Sequence, residues 1–152
     1  MAPQAHYECL FGTLTIGYEQ DAVTFIRLNA PDKLPHSPAP ITDLAAAQLE
    51  AYFEGRRTEF DFPIRLTGTA FQKAVWEELL RSPYGEIRSY GQIASAIGKP
   101  KAPRAVGQAA NRNPIWIVVP CHRVVGSNAS LTGYAGGLSL KQALLELENS
   151  HK

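Results

Sequence analysis

The 152-residue chain has only two cysteines, Cys9 and Cys121. That is too few for an all-thiolate zinc site or a disulfide framework, and it points to a reducing compartment. No apolar run approaches the ~18 residues of a membrane-spanning helix. The opening Met1-Ala2-Pro3-Gln4-Ala5-His6 has neither the basic start nor the apolar core of a secretory leader, so secretion is not expected. Charged residues are only 19%, which excludes a disordered polyelectrolyte. Gly and Pro, at 12 and 11, show no collagen-like period. What is present is 45% hydrophobic residues, enough for one or two small domains with cores.

The most informative absence is local. From Ile87 to Leu145 there is no Asp or Glu, yet seven cations occur: Arg88, Lys99, Lys101, Arg104, Arg112, Arg123 and Lys141. Residues 1–65 carry five basic and nine acidic residues, a balance of −4; residues 66–152 carry ten and five, a balance of +5. One-sided charge suits a polyanionic partner, although a basic surface that binds nothing has the same composition.

The charge switch near residue 66 suggests two domains, 1–66 and 67–152. In the first, residues 6–29 read as strands, with Leu14, Ile16 and Tyr18 alternating with Thr13, Thr15 and Gly17. Prolines 31, 35, 38 and 40 predict a loop, and Thr42 or Asp43 is expected to cap a helix through about Glu54 whose apolar positions are Leu44, Leu49 and Phe53. Phe60 to Leu66 reads as a further strand. In the second domain, Thr69 or Thr67 caps a helix carrying Phe71, Val75, Trp76 and Leu79. Short helices follow over Ser89–Ile97 and from Pro103 to about Asn111, across a Gly98 turn. Ile115–Val119 reads as a buried strand and 138–149 as the last helix. The expected fold class is α/β: a small N-terminal antiparallel sheet with a helix, then a mostly helical, winged-helix-like domain containing a helix-turn-helix.

On the second short helix, Arg104, Gln108 and Asn111 share one face beside Gly107, and Val106, Ala109 and Ala110 lie opposite. Small residues there suit close approach to a nucleic-acid groove, and suit helix packing equally well. The apolar run ends in Pro120-Cys121-His122-Arg123-Val124. Neighbouring His122 and Arg123 can favour the Cys121 thiolate, the nucleophilic form, whereas a buried structural cysteine is the plainer alternative. Alternation along a strand points neighbours to opposite faces, so Cys121 and His122 meet only if the strand ends there or a water bridges them. At 100° per residue Glu148 falls inside the apolar arc of the last helix, as does Lys141. A carboxylate there needs a partner, and His122 supplies one in a Cys–His–Glu relay. The alternative is a solvated Glu148 near a helix end. Exchange of Glu148 for Gln is expected to leave folding nearly intact.

Phe71-Gln72, Val75-Trp76, Pro83-Tyr84-Gly85, Ser89-Tyr90-Gly91-Gln92-Ile93-Ala94, Arg104-Ala105-Val106-Gly107, Asn113-Pro114, Pro120 to Val124, Gly133-Tyr134, Gly136-Gly137 and Leu144-Leu145 resemble the O6-alkylguanine-DNA alkyltransferase (O6-methylguanine-DNA methyltransferase) family over about residues 68–149. The resemblance implies a protein that flips O6-alkylguanine out of duplex DNA and moves the alkyl group irreversibly to its own Cys121. It implies that His122 is the base, acting through a water, and that Glu148 fixes His122. Tyr90 donates a proton toward guanine N3, and Asn113 ties the pocket together. Arg104 enters the duplex, on a helix with Ala105, Gly107 and Gln108 at the DNA and Arg123 among the binding residues. Tyr134, Ala135 and Gly136 form the pocket loop, and the carbonyls of Cys121 and Val124 receive the guanine amine. Binding is expected through the minor groove, by a monomer, with no cofactor, metal or membrane, in prokaryotic cytoplasm or a eukaryotic nucleus. Ala129 stands where the family often has Gly, so that turn is expected to rely on Asn128, and Pro103 replaces a commoner small residue. Cys9 is expected to serve strand packing. A lesion sensor without chemistry on the same scaffold, and a cysteine hydrolase, remain the alternatives.

Overall fold

The alternating apolar residues of the N-terminal segment form three strands, β1 (Gln4–Cys9), β2 (Gly12–Glu19) and β3 (Ala22–Leu28), hydrogen-bonded in that order as an antiparallel sheet. Pairings Ala5↔Ile16, Ile16↔Ile26 and Leu14↔Leu28 gather the buried apolar side chains on one face. The computed structural model describes residues 3–31, 34–126, 130–131 and 133–152. Its two compact units are Met1–Thr67 with Pro114–Trp116, and Gly68–Asn113 with Ile117–Lys152.

Helix α1 (Pro40–Phe53) covers the sheet and begins earlier than the proline pattern suggests. Pro40 occupies the first helical position, where a missing N–H costs nothing. Ala39 is the N-cap, and Thr42 reaches back to it, its hydroxyl accepting the Ala39 N–H at 2.9 Å. The buried face is Ile41, Ala45, Gln48, Leu49, Tyr52 and Phe53, and Leu44 is exposed. Phe60–Leu66 is not a strand. Pro63 has no N–H to donate, and Asp61 is bound to Gln48, so only Ile64 bridges β3, at Val23. Ile115–Val119 is buried as expected except at the half-buried Val118, but it is also not a strand. Ile115 makes one bridge to Ile26, and the chain turns at Ile117, whose φ is 74°. A run of apolar residues reports burial and not conformation.

In the second unit, Thr69 caps α2 (Ala70–Leu79) by accepting the Gln72 N–H at 3.1 Å. Ser89 does the same for α3 (Tyr90–Ala96). The turn after α3 leads to α4 (Pro103–Asn111), which packs on both α2 and α3. Trp76 of α2 donates its indole N–H to the Ala109 carbonyl of α4 at 2.9 Å. Short strands β4 (Arg88–Ser89) and β5 (Val124–Val125) pair in parallel, and α5 (Leu138–His151) closes the unit. The expected class, a small antiparallel sheet with a helix followed by a helical part, is what the chain adopts. Asn128 and Ala129 lie outside the described residues.

Candidate active site

The run from Ile115 ends in a single 3-10 turn, Cys121–Arg123, directly before β5. Pro120 limits the backbone at its entrance, and the Arg123 N–H donates to the Pro120 carbonyl at 3.0 Å. Because the chain turns here instead of alternating, Cys121 takes one set of partners while His122 and Arg123 share another. All three are buried, with Cys121 at 3% and His122 at 0% exposure.

Cys121 faces amide and hydroxyl donors. Asn113 Nδ2 donates to Cys121 Sγ at 3.2 Å and to the Val119 carbonyl at 2.8 Å, and the neighbouring Tyr134 hydroxyl acts to lower the thiol pKa. Lys141, fully buried on α5, is the cation whose charge reaches the thiol, and its ammonium lies 5.8 Å over the Tyr90 ring. Burial outweighs all of these and pushes the Cys121 thiol up to about 11. This corrects the expectation of a depressed thiol pKa: Arg123 turns away from the sulfur, and desolvation disfavours the thiolate more than its donors favour it.

Arg123 and His122 converge on Glu148 of α5. His122 Nε2 lies 2.6 Å from Glu148 Oε2. Arg123 donates Nε to Oε1 at 2.8 Å and Nη2 to Oε2 at 2.9 Å, and the Gly85 N–H donates to Oε1 at 3.1 Å. Burial raises the Glu148 pKa, but the hydrogen bonds from His122 and Arg123 overcome it and hold the carboxyl well below the usual range. Burial pulls His122 below its ordinary value against the opposing pull of Glu148, and the charges of Arg123 and Lys141 add to the lowering. His122 Nδ1 is buried and has no hydrogen-bond partner among the described residues.

The structure thus brings together Cys121, His122, Glu148, Asn113 and Tyr134, with Tyr90 beside Lys141. Arg123, expected among the DNA-binding residues, points inward. Val124 is buried at the start of β5, and Ala135 and Gly136 form the turn closed by the Gly137 N–H on the Tyr134 carbonyl. On α4, Val106, Ala109 and Ala110 are buried, and Arg104, Gln108 and Asn111 are exposed, as the helical projection expects. Gly107 lies beside Tyr90, where an added Cβ would sit 3.7 Å from the ring. Among the described residues no three His, Cys, Asp or Glu side chains cluster as a metal site, and no helix is long and apolar enough to cross a membrane. Lys141, which the sequence places on the apolar arc seven residues before Glu148, was given no role there, yet it is fully buried and its charge reaches the thiol. The Ser82–Gly85 turn that receives Arg123 and Glu148 left no such signal.

The site is a buried single-thiol centre with an imidazole–carboxylate pair, in a helical unit whose α4 exposes a basic face. Residues 70–150 match the family model for the 6-O-methylguanine DNA methyltransferase DNA binding domain, and residues 4–66 match that for the ribonuclease-like domain of the same proteins. The chain belongs to the O6-methylguanine DNA methyltransferase family. It is 45% identical over 153 residues to the methylated-DNA--protein-cysteine methyltransferase of Methanosarcina acetivorans, covering 96% of this chain and 97% of that one. The crystal structure of the Mycobacterium tuberculosis O6-methylguanine methyltransferase matches with a TM-score of 0.90 at 46% identity, over 100% of this chain and 95% of the other. The same organism's OGT in complex with DNA matches at 0.90 and 47% identity, over 97% and 93%.

The shifted groups of the site, His122, Glu148 and Cys121, give stability a defined pH dependence. The unfolded chain protonates His122 near pH ~6.5, which the folded protein resists, so this contribution is complete above that pH and lost as pH falls. Glu148, depressed in the fold, contributes stability above about pH 4.3 that is lost as pH drops through its folded value. Thermal unfolding is therefore predicted to hold steady from about pH 7 to about pH 8, to weaken below about 6.5 and to weaken more steeply below about 4.3; above about pH 8.5 it weakens again, because the unfolded chain ionises Cys121 and the fold holds it protonated. Contrary to the expectation of near-neutrality, Glu148→Gln leaves Arg123 buried without a counter-charge and is predicted to cost about 3–5 kcal/mol at pH 7. A midpoint that rises on acidification, or a Gln variant as stable as the parent, contradicts this arrangement.

Proposed function

We propose that this chain repairs O6-alkylated guanine in duplex DNA by accepting the alkyl group on Cys121, once per molecule. The observation that carries the reading is the buried Cys121 thiol in the same helical unit as the His122–Glu148 pair and the exposed Arg104 face of α4. The names of the full-length relatives and the DNA complex of the mycobacterial OGT support it.

The chemistry follows from the thiol. With its pKa near 11, only about one molecule in 10,000 holds a thiolate at pH 7. Displacement therefore needs a base that takes the proton as the bond forms. His122 fits: Glu148 holds its Nε2 side as the donor, which leaves the unpartnered Nδ1 as the acceptor, and one water carries the Cys121 proton to it. As sulfur attacks the alkyl carbon, the carbon–O6 bond breaks and its electron pair leaves with guanine. Tyr90 supplies a proton toward guanine N3 to the departing base. Asn113 and Tyr134 donate to the sulfur as it gains charge. The product thioether has no activated route back.

A guanine O6 inside the stack is out of reach of a buried thiol, so the nucleotide must be extruded. The exposed Arg104 fills the space it leaves, and α4, with Ala105, Gly107 and Gln108, approaches through the minor groove. The pocket loop Tyr134–Gly136 and the carbonyls of Cys121 and Val124 hold the flipped base. The protein acts as a monomer without metal or cofactor, in the reducing compartment that holds the DNA: prokaryotic cytoplasm or a eukaryotic nucleus.

Excess duplex carrying O6-methylguanine is predicted to add one methyl group per protein, mapped by peptide mass spectrometry to Cys121 and absent from Cys9. Repeated turnover would indicate a hydrolase-like enzyme, and binding without mass gain a sensor. Arg104→Ala is predicted to slow transfer from duplex far more than from free O6-alkylguanine base, which needs no flipping. Equal losses on both substrates contradict the intercalating role.

A further inference from the structure

Arg123 belongs to a network that the transfer chemistry above does not use. Its side chain is only 8% exposed, so it is not offered to a DNA phosphate. It lies in a socket made by the turn after α2: Nη1 donates to the Ser82 carbonyl at 2.7 Å, and the guanidinium stands 5.6 Å over the Tyr84 ring. The same turn sends the Gly85 N–H to Glu148, at a φ of 77° that an L side chain rarely adopts. The socket is itself anchored. Arg88 reaches the Ser82 hydroxyl at 3.3 Å and Glu78 at 2.8 Å, and Arg88 pairs with Val124, the residue after Arg123. A continuous chain of charged hydrogen bonds therefore runs from α2 through the turn and Arg123 to Glu148 and His122.

The geometry at Glu148 shows what this chain does. Oε2 receives two donors, His122 Nε2 at 2.6 Å and Arg123 Nη2 at 2.9 Å. A buried carboxylate facing only an imidazole would draw a proton onto it and form an ion pair, and a protonated His122 has no lone pair for the thiol proton. A guanidinium on the same carboxylate opposes that proton directly. The charged groups that act on the imidazole are Glu148 and Lys141 from α5 and Arg123 from the 3-10 turn, while Tyr84 from the α2 turn and Tyr134 from the pocket loop feel the Glu148 charge. Only Glu148 favours a charged imidazole. Resting on the reading of Cys121 as alkyl acceptor, we propose that Arg123 is a positioning residue that orients Glu148 and keeps His122 an unprotonated acceptor for the Cys121 proton. The lowering of the His122 pKa by the Arg123 charge agrees with this.

The test uses the full chain, single-turnover transfer from a duplex with one O6-methylguanine, and the titration of His122 by NMR. Arg123→Met removes the opposing charge. It is expected to raise the His122 pKa and shift the rate profile to higher pH. At pH 7 it should lose part of the about 100- to 10,000-fold that base assistance supplies, and recover it as pH rises. Arg123→Lys keeps the charge but not the fork. It is expected to titrate His122 near the parent value and to slow transfer at every pH. If the Met variant does not fold, Arg123→Met combined with Glu148→Gln removes both charges; it should return His122 to a low pKa, with slow transfer and no shifted profile. An unchanged His122 titration in Arg123→Met, whether the rate is unaffected or uniformly reduced, overturns the proposal, as does a raised His122 pKa in Arg123→Lys or in the double variant. Failure of the underlying reading is distinct: the parent protein itself would gain no methyl group on Cys121.

Discussion

One carboxylate organises the reactive unit. Glu148 is 1% exposed and receives four hydrogen bonds, from His122, twice from Arg123 and from the Gly85 backbone. An isolated carboxylate could not remain ionised at that depth. Each donor makes the charge tolerable, and in return each is fixed by it: the imidazole in one orientation, the guanidinium in its socket and the turn after α2 at a set distance from α5. Buried ion pairs of this kind contribute little net stability compared with apolar packing, yet breaking one is costly. The arrangement is better understood as placement than as reinforcement.

The same desolvation that makes Glu148 dependent on its partners holds Cys121 in reserve. Burial raises the thiol to about 11 in spite of Asn113, Tyr134 and Lys141. A thiol kept protonated at rest is protected from oxidation and stray electrophiles, because the thiolate is the reactive form. Reaction then depends on a substrate placed against the sulfur while a neutral imidazole stands ready to take the proton. The protonated resting thiol and its dependence on a base come from one condition, the burial of Cys121.

Several parts of this account could be read from residue order alone. The strand at β2, the helix cap at Thr69 and the two faces of α4 rest on local signals in residue order, and they lie where expected. Glu148 was legible because a carboxylate on an apolar arc needs an explanation. Lys141 met the same criterion seven residues earlier and was not followed. Pro40 and Ile115–Val119 depart from what their composition suggests because their conformations depend on an N-cap at Ala39 and on a turn at Ile117. The Ser82–Gly85 socket was not legible, because its two bonds to Arg123 and Glu148 are made by a backbone carbonyl and a backbone N–H, which side-chain identity does not announce. The direction in which Arg123 points follows from the 3-10 turn, which replaces strand alternation at the one place where it decides the chemistry.

The central claim is that Glu148 presents His122 to Cys121 as a neutral proton acceptor. Nitrogen-15 NMR of the free protein near neutral pH tests it most directly, because the two imidazole nitrogens report their protonation separately. The predicted spectrum shows a protonated Nε2, hydrogen-bonded to Glu148, and an unprotonated Nδ1. A doubly protonated ring, or the opposite tautomer with the proton on Nδ1, would contradict the account.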